Sequence, residues 1–223
     1  MNQHLPRLLE DILQTRDKQQ ERFILRHDLS PEVLRDKLRL SLDDAEEGLP
    51  LHEIEAIISD VQDYSVNTQH PLFMNQLYGH VSDMGLLGDF LAASLNTSMA
   101  TWEIAPLMTL IEKEVIKQMA QLIGFEHFDG LLTPGGSLSN MQAMLMAKDQ
   151  RFPDARVKGA ASLPAVRIFV SDQAHYSFVK FAQVIGLGQD SVVKVRSFSQ
   201  GAMQPEALQV AIDSEKKAGN IPL

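Results

Sequence analysis

The chain has 223 residues, is 44% hydrophobic and 22% charged, and carries a formal net charge of -9. That size and apolar fraction suit one sizeable core with an appendage, and the acidic balance disfavours a general binder of nucleic acid or anionic membrane. Cysteine is absent, which excludes disulfides, thiolate metal sites and cysteine nucleophiles within these residues.

The opening segment has no uninterrupted apolar stretch of the kind a signal peptide needs, and Glu10 and Asp11 disfavour a transit peptide. No apolar run approaches the about 18 residues of a membrane span, so a soluble, cytoplasmic protein is expected. In residues 1–66, Leu5, Leu8, Leu9, Ile12 and Leu13 recur at helical spacing. Ser30-Pro31 marks a second helix start, with a capping hydroxyl and a proline where no N–H is needed. Leu34, Leu38 and Leu42 continue that face to Gly48-Leu49-Pro50, and Ile54, Ile57, Ile58 and Val61 predict a third helix. Such a charged helical arm has little core of its own. We expect it to pack across a dimer; a solvated extension is the alternative.

At Asn67-Thr68-Gln69-His70-Pro71 the composition turns apolar, and a second domain is expected over 67–223. Met84, Leu87, Phe90 and Leu91 precede a loop at Asn96, and Ile104, Leu107, Ile111, Val115, Met119 and Leu122 trace a long amphipathic helix ending at Gly124. These methionines and leucines are expected in the core. From residue 130 the pattern becomes α/β: Leu131–Thr133 as a short strand or extended entry, a helix over 137–150, and a strand over 166–170. A helix over 175–185, a strand over 192–195, a helix over 205–218 and the opening of another strand at 221–223 follow. Alternating strands and helices predict a mainly parallel sheet covered by helices.

Two segments carry chemistry. Thr133-Pro134-Gly135-Gly136-Ser137-Leu138-Ser139-Asn140 places a glycine turn before a helix, whose free N–H groups and dipole favour a phosphate. Ser137 adds a hydroxyl at the capping position; a plain strand-to-helix connection with an N-cap uses the same turn. Ser171-Asp172-Gln173-Ala174-His175-Tyr176-Ser177 sets His175 just past a strand, where an imidazole can stack on a flat ligand or move a proton. A helix-start histidine bonded to backbone is the alternative. No metal-ligand spacing, catalytic serine elbow or carboxylate pair appears.

Four blocks in order resemble the group II pyridoxal phosphate (PLP)-dependent amino-acid decarboxylases. They are His70-Pro71-x-Phe73-x-Asn75-Gln76-Leu77, Asn96-Thr97-x-Met99-x-Thr101-Trp102-Glu103-Ile104-Ala105-Pro106, Pro134–Asn140 and Ser171–Ser177. The resemblance implies an N-terminal helical arm followed by the first part of an aminotransferase-like, fold type I large domain. It implies that Gly136 and Ser137 hold the PLP phosphate and that His175, the catalytic residue, stacks on the pyridine ring. Gln76 and Tyr78 would line the substrate pocket of an acidic-substrate branch. Tyr78 matches a position that tends to be serine in glutamate decarboxylases, and its bulk shortens a pocket. Aspartate, giving β-alanine, is therefore favoured, followed by glutamate, giving 4-aminobutyrate.

Two family elements are missing from these residues: an Asp-Ala-Ala-(Trp/Tyr) strand and an Asn-Pro-His-Lys lysine that holds the cofactor's aldehyde. We therefore expect the chain to be the N-terminal portion of a larger, homodimeric decarboxylase, inactive by itself. A non-catalytic subunit pairing with a full-length relative and a simple phosphate-binding module are the alternatives.

Overall fold

The computed structural model describes residues 4–18, 24, 29–38, 48–74, 79 and 81–223. The chain divides into two compact units, Met1–Ser98 and Met99–Leu223.

The first unit contains helices α1 (His4–Asp17), α2 (Pro31–Lys37), α3 (Leu51–Tyr64) and α4 (Asp83–Leu95). The sequence rules for helix starts hold. Ser30 caps α2, its Oγ accepting from the Val33 N–H, with Pro31 in the first turn. Ser82 caps α4 in the same way through the Gly85 N–H, and Asn96 ends it in the left-handed region at φ 48°. Gln62 of α3 donates to the Ile12 carbonyl of α1 at 3.4 Å, and Arg16 of α1 pairs with Asp83 at 2.6 Å. Asn67, where the sequence changes character, is buried. Its N–H donates to the Ile24 carbonyl at 2.7 Å, and its Oδ1 accepts from the Gln69 N–H. Leu42, expected to extend the α2 face, lies outside the described residues.

The second unit holds α5 (Pro106–Ile123), α6 (Gly136–Arg151), a short α7 (Ala155–Lys158), β1 (Val166–Ser171), α8 (Ser177–Val184), β2 (Val192–Val195), α9 (Pro205–Lys217) and β3 (Ile221–Pro222). The three strands form a wholly parallel sheet in the order β2-β1-β3. α8 carries the chain from β1 to β2 and α9 carries it on to β3, so β1 is central. Its Val166, Ile168 and Val170 are buried. Ile168 and Val170 join Met144 of α6 and Phe181, Ala182 and Ile185 from α8 and its end in one core cluster. Arg167 of β1 pairs with Glu215 of α9 at 3.0 Å, and Asn220 donates to the same carboxylate. That tie fixes β3 against the central strand.

Of the two readings given for Leu131–Thr133, the structure takes the second: no strand forms and the segment is an entry to α6. One expectation needs correction. The apolar stripes of α4 and α5 are not core. Met84, Leu87, Leu91, Leu107, Ile111, Met119 and Leu122 are between 48% and 88% exposed. No described element packs broadly on either helix, so a helical apolar period here marks a face rather than a buried position. Among the described residues no helix is long and apolar enough to cross a membrane.

Phe181 is 8% exposed at the centre of the cluster. Phe181→Ala is expected to lower the stability of the second unit by about 3–5 kcal/mol in urea denaturation. A loss below about 1 kcal/mol would show that the sheet is not organised around this ring.

Candidate functional site

The Thr133–Asn140 segment turns sharply because Gly135 adopts φ 99°, ψ 155°, a conformation open in practice only to glycine. Its N–H donates to the Thr133 carbonyl at 2.7 Å. The Thr133 hydroxyl bonds across the turn to the Ser139 hydroxyl and to the Gly135 carbonyl. The turn is thereby clipped to the first turn of α6. Gly135 is the N-cap residue and offers no capping side chain. Ser137 is therefore inside the helix, not at the capping position that the sequence suggested.

This helix terminus suits an anion. Among the described residues no acceptor meets the N–H groups of Gly136 and Ser137. A Cβ added at Gly136 would project into open space, so its absence leaves the backbone approachable. No acidic residue lies in the first turn of this 16-residue helix to oppose a negative ligand. These features fit the phosphate of PLP.

β1 delivers the second half. His175 lies in the turn after the strand, and α8 begins only at Ser177. The expected helix start at 175 fails for a local reason. The His175 Nδ1 accepts from the Ser177 N–H at 3.2 Å, so the ring takes up a donor that the first helical turn leaves unpaired. With Nδ1 accepting, the neutral ring carries its proton on Nε2. The Tyr176 ring lies beside it, centroids 4.2 Å apart and tilted by 38°. His175 is exposed at the carboxyl edge of the sheet, where open α/β folds place ligands.

A hydrogen bond joins the two halves. Asn140, one turn into α6, donates from Nδ2 to the Oγ of Ser177 at 2.9 Å. The strand edge is braced separately. The Asp172 N–H donates to the Val195 carbonyl, Asp172 Oδ2 accepts from the Ser197 N–H at 3.3 Å, and the Ser171 and Ser197 hydroxyls bond at 2.8 Å. Hydrogen bonding from Ser197 holds the Asp172 carboxyl below its ordinary range. Sequence reasoning quoted Asn140, Asp172 and Ser177 within the blocks but gave them no role, and it missed Ser197. Their partners are too far away in sequence for spacing to reveal. Gln76 and Tyr78 lie outside the described residues.

Other concavities are less suited to chemistry. A groove of about 310 Å³ along the end of α5 is lined mainly by apolar residues such as Ile116, Met119, Phe128 and Leu131. Of its lining side chains only those of His127 and Asp129 are polar.

A parallel sheet with an anion-ready helix terminus and an imidazole at its carboxyl edge fits the class of PLP-dependent, transferase-like α/β folds. Residues 31–223 match the family model described as the pyridoxal-dependent decarboxylase conserved domain, and the chain belongs to that family. It is 40% identical over 192 residues to an acidic amino acid decarboxylase of Bos taurus, covering 86% of this chain and 36% of that protein. It is 41% identical over 192 residues to a cysteine sulfinic acid decarboxylase of Mus musculus, covering 86% and 38%. A crystal structure of mouse CSAD superposes with a TM-score of 0.91 at 36% identity, over 99% of this chain and 48% of that one. The chain thus spans a little over a third of the length of the curated relatives it matches.

The Asp172 shift gives a pH test. Its folded-state pKa is depressed, so the stability it contributes is present above the unfolded value and is lost as pH falls through the folded one. NMR titration of the Asp172 carboxyl is expected to give a midpoint below the ordinary value of about 3.9, moving back toward it when Ser197 is replaced by proline. A wild-type midpoint at or above that value would show that the Ser197 brace does not form.

Proposed function

We propose that this chain is the N-terminal part of a PLP-dependent decarboxylase of acidic amino acids, with L-aspartate preferred and L-glutamate next. The observation that carries the reading is the pairing of an uncapped Gly135-Gly136 helix terminus with His175 through the Asn140–Ser177 bond. Relatives named for acidic amino acids and for cysteine sulfinic acid support the substrate class. The Gly136 and Ser137 N–H groups, with the Ser137 hydroxyl, hold the phosphate. The His175 ring would hold the cofactor's pyridine and help to orient the scissile bond. When bound, PLP supplies the electron sink that accepts the pair left as CO₂ departs. Gln76 and Tyr78 are the substrate-side residues, with Tyr78 favouring the shorter side chain.

Residues 67–223 form the cofactor-binding part of this scheme and 1–66 the arm, in a cytoplasmic homodimer. The chain's ten lysines include none in an Asn-Pro-His-Lys setting. Lys180, the lysine closest in sequence to His175, is exposed on α8. Residues 1–223 alone are therefore proposed not to decarboxylate.

The experiment compares residues 1–223 with the protein expressed from its complete coding sequence, each supplied with PLP and with aspartate or glutamate. CO₂ release is expected only from the latter. In it, Gly136→Val should weaken PLP binding at least about tenfold, because a branched side chain fills the approach to the free N–H groups. Unchanged affinity would remove the phosphate from this helix terminus.

Substrate choice is tested apart. Tyr78→Ser in the same protein should raise kcat/KM for glutamate relative to aspartate by about tenfold, the range that side-chain volume in a pocket sets. An unchanged ratio would remove Tyr78 from the specificity argument.

A further inference from the structure

The bond between Asn140 and Ser177 sits at one end of a continuous helix–helix contact. Gly136, Asn140, Met144 and Lys148 recur every four residues and so share one face of α6. Met144 and Lys148 on this face are buried. On α8, Ser177 and Phe181 recur at the same interval, and Phe181 joins Met144 in the core cluster. The two stripes therefore meet in register, with an apolar pair one turn below and a polar pair at the top. Ser177 is 0% exposed, and Asn140 is half-buried. Ser177 is thus shut off from water and relies on Asn140 for its partner, so removing the amide strands a buried hydroxyl.

Ser177 also donates its backbone N–H to His175 Nδ1. One residue thus receives a bond from the helix that begins at Gly136 and gives a bond to the imidazole. We propose that Asn140 and Ser177 are a positioning pair: their bond fixes the orientation and tautomer of the His175 ring relative to the α6 terminus. Neither touches a reacting atom; both act through His175. The consequence for cofactor binding rests on the PLP reading above, because a ring pinned to the same helix that holds the phosphate is already placed for the pyridine. The geometry of His175 itself does not rest on that reading.

The rest of the turn gives no competing brace for the ring. Ser171, Asp172 and Ser197 bond among themselves and to Gln173 and Val195, and none of them bonds to the His175 ring. Tyr176 offers only a tilted ring contact. Among the described residues, the Ser177 N–H is the hydrogen-bond donor that meets the imidazole.

The test uses the protein expressed from its complete coding sequence, with Asn140→Ala, Ser177→Ala and the double variant. Without PLP, ¹⁵N NMR of labelled histidine reads the Nδ1 and Nε2 signals of His175, assigned by their loss in His175→Gln. Each single variant is expected to shift the His175 signals toward the average of a mobile ring while the other histidines keep theirs. With PLP as the probe, each single variant should weaken affinity by about fivefold, and the double no further than the worse single, as for two ends of one bond. Asn140→Asp keeps the size and can accept from the Ser177 hydroxyl, so it should restore the His175 signals that Asn140→Ala changes. This arm still decides the matter if alanine at 177 prevents folding.

Unchanged His175 signals in Asn140→Ala, with or without a lower melting temperature, would overturn the proposal and leave the bond a packing feature only. Multiplying losses of affinity in the double variant would overturn it too. If the His175 signals shift as expected while neither these variants nor Gly136→Val alters PLP affinity, the positioning pair stands and the PLP reading of the site falls.

Discussion

The arrangement of the second unit depends on one constraint, the burial of the central strand. β1 has parallel partners on both sides, β2 along Ile168–Ser171 and β3 at Val166–Arg167. Val166, Ile168 and Val170 are buried, and Ile168 and Val170 pack against α6 and α8 residues. That packing puts the two helix starts side by side at the carboxyl edge. Chemistry collects there because a parallel strand ends in backbone groups that only a turn, a helix or a ligand can satisfy. The histidine turn before α8 answers that demand, and the glycine terminus of α6 is bonded beside it through Asn140.

The balance between apolar and polar contacts along α6 and α8 follows from this. Deeper in the contact, Met144, Phe181 and Ala182 supply non-directional attraction, which holds the helices together but fixes no angle. At the open end, one hydrogen bond supplies direction. A site that must hold a planar ligand needs both kinds, since packing alone tolerates small rotations and a single bond cannot hold two helices.

Much of the fold was legible in the chain. Ser30-Pro31 and Pro205 announced helix starts, Gly124 a helix end, and alternating apolar segments the β1–α8–β2–α9–β3 order, because each signal is a local demand of the backbone. Legibility failed where side chains acted against local expectation. His175 reads as a helix residue until its ring is seen to take the Ser177 N–H. Ser137 reads as a cap until Gly135 is found to be the cap. The stripes of α4 and α5 have the period of a buried face, and periodicity reports which residues share a side, not what covers it. At the site, the glycine turn and the histidine could be named from spacing. The Asn140–Ser177 and Asp172–Ser197 bonds could not, because they join residues that only the sheet brings together.

The strand order also bears on how the chain is assembled. β1 meets β2 after one short helical crossover, whereas its β3 partner lies more than twice as far along the chain, beyond α9. Closing the nearer loop is entropically cheaper, so the β1–α8–β2 unit is the natural nucleus, and β3 adds to an edge already formed. Both halves of the candidate site belong to α6 and that nucleus. The histidine turn thus takes shape before β3 docks, and the late Arg167–Glu215 tie only locks a frame already built.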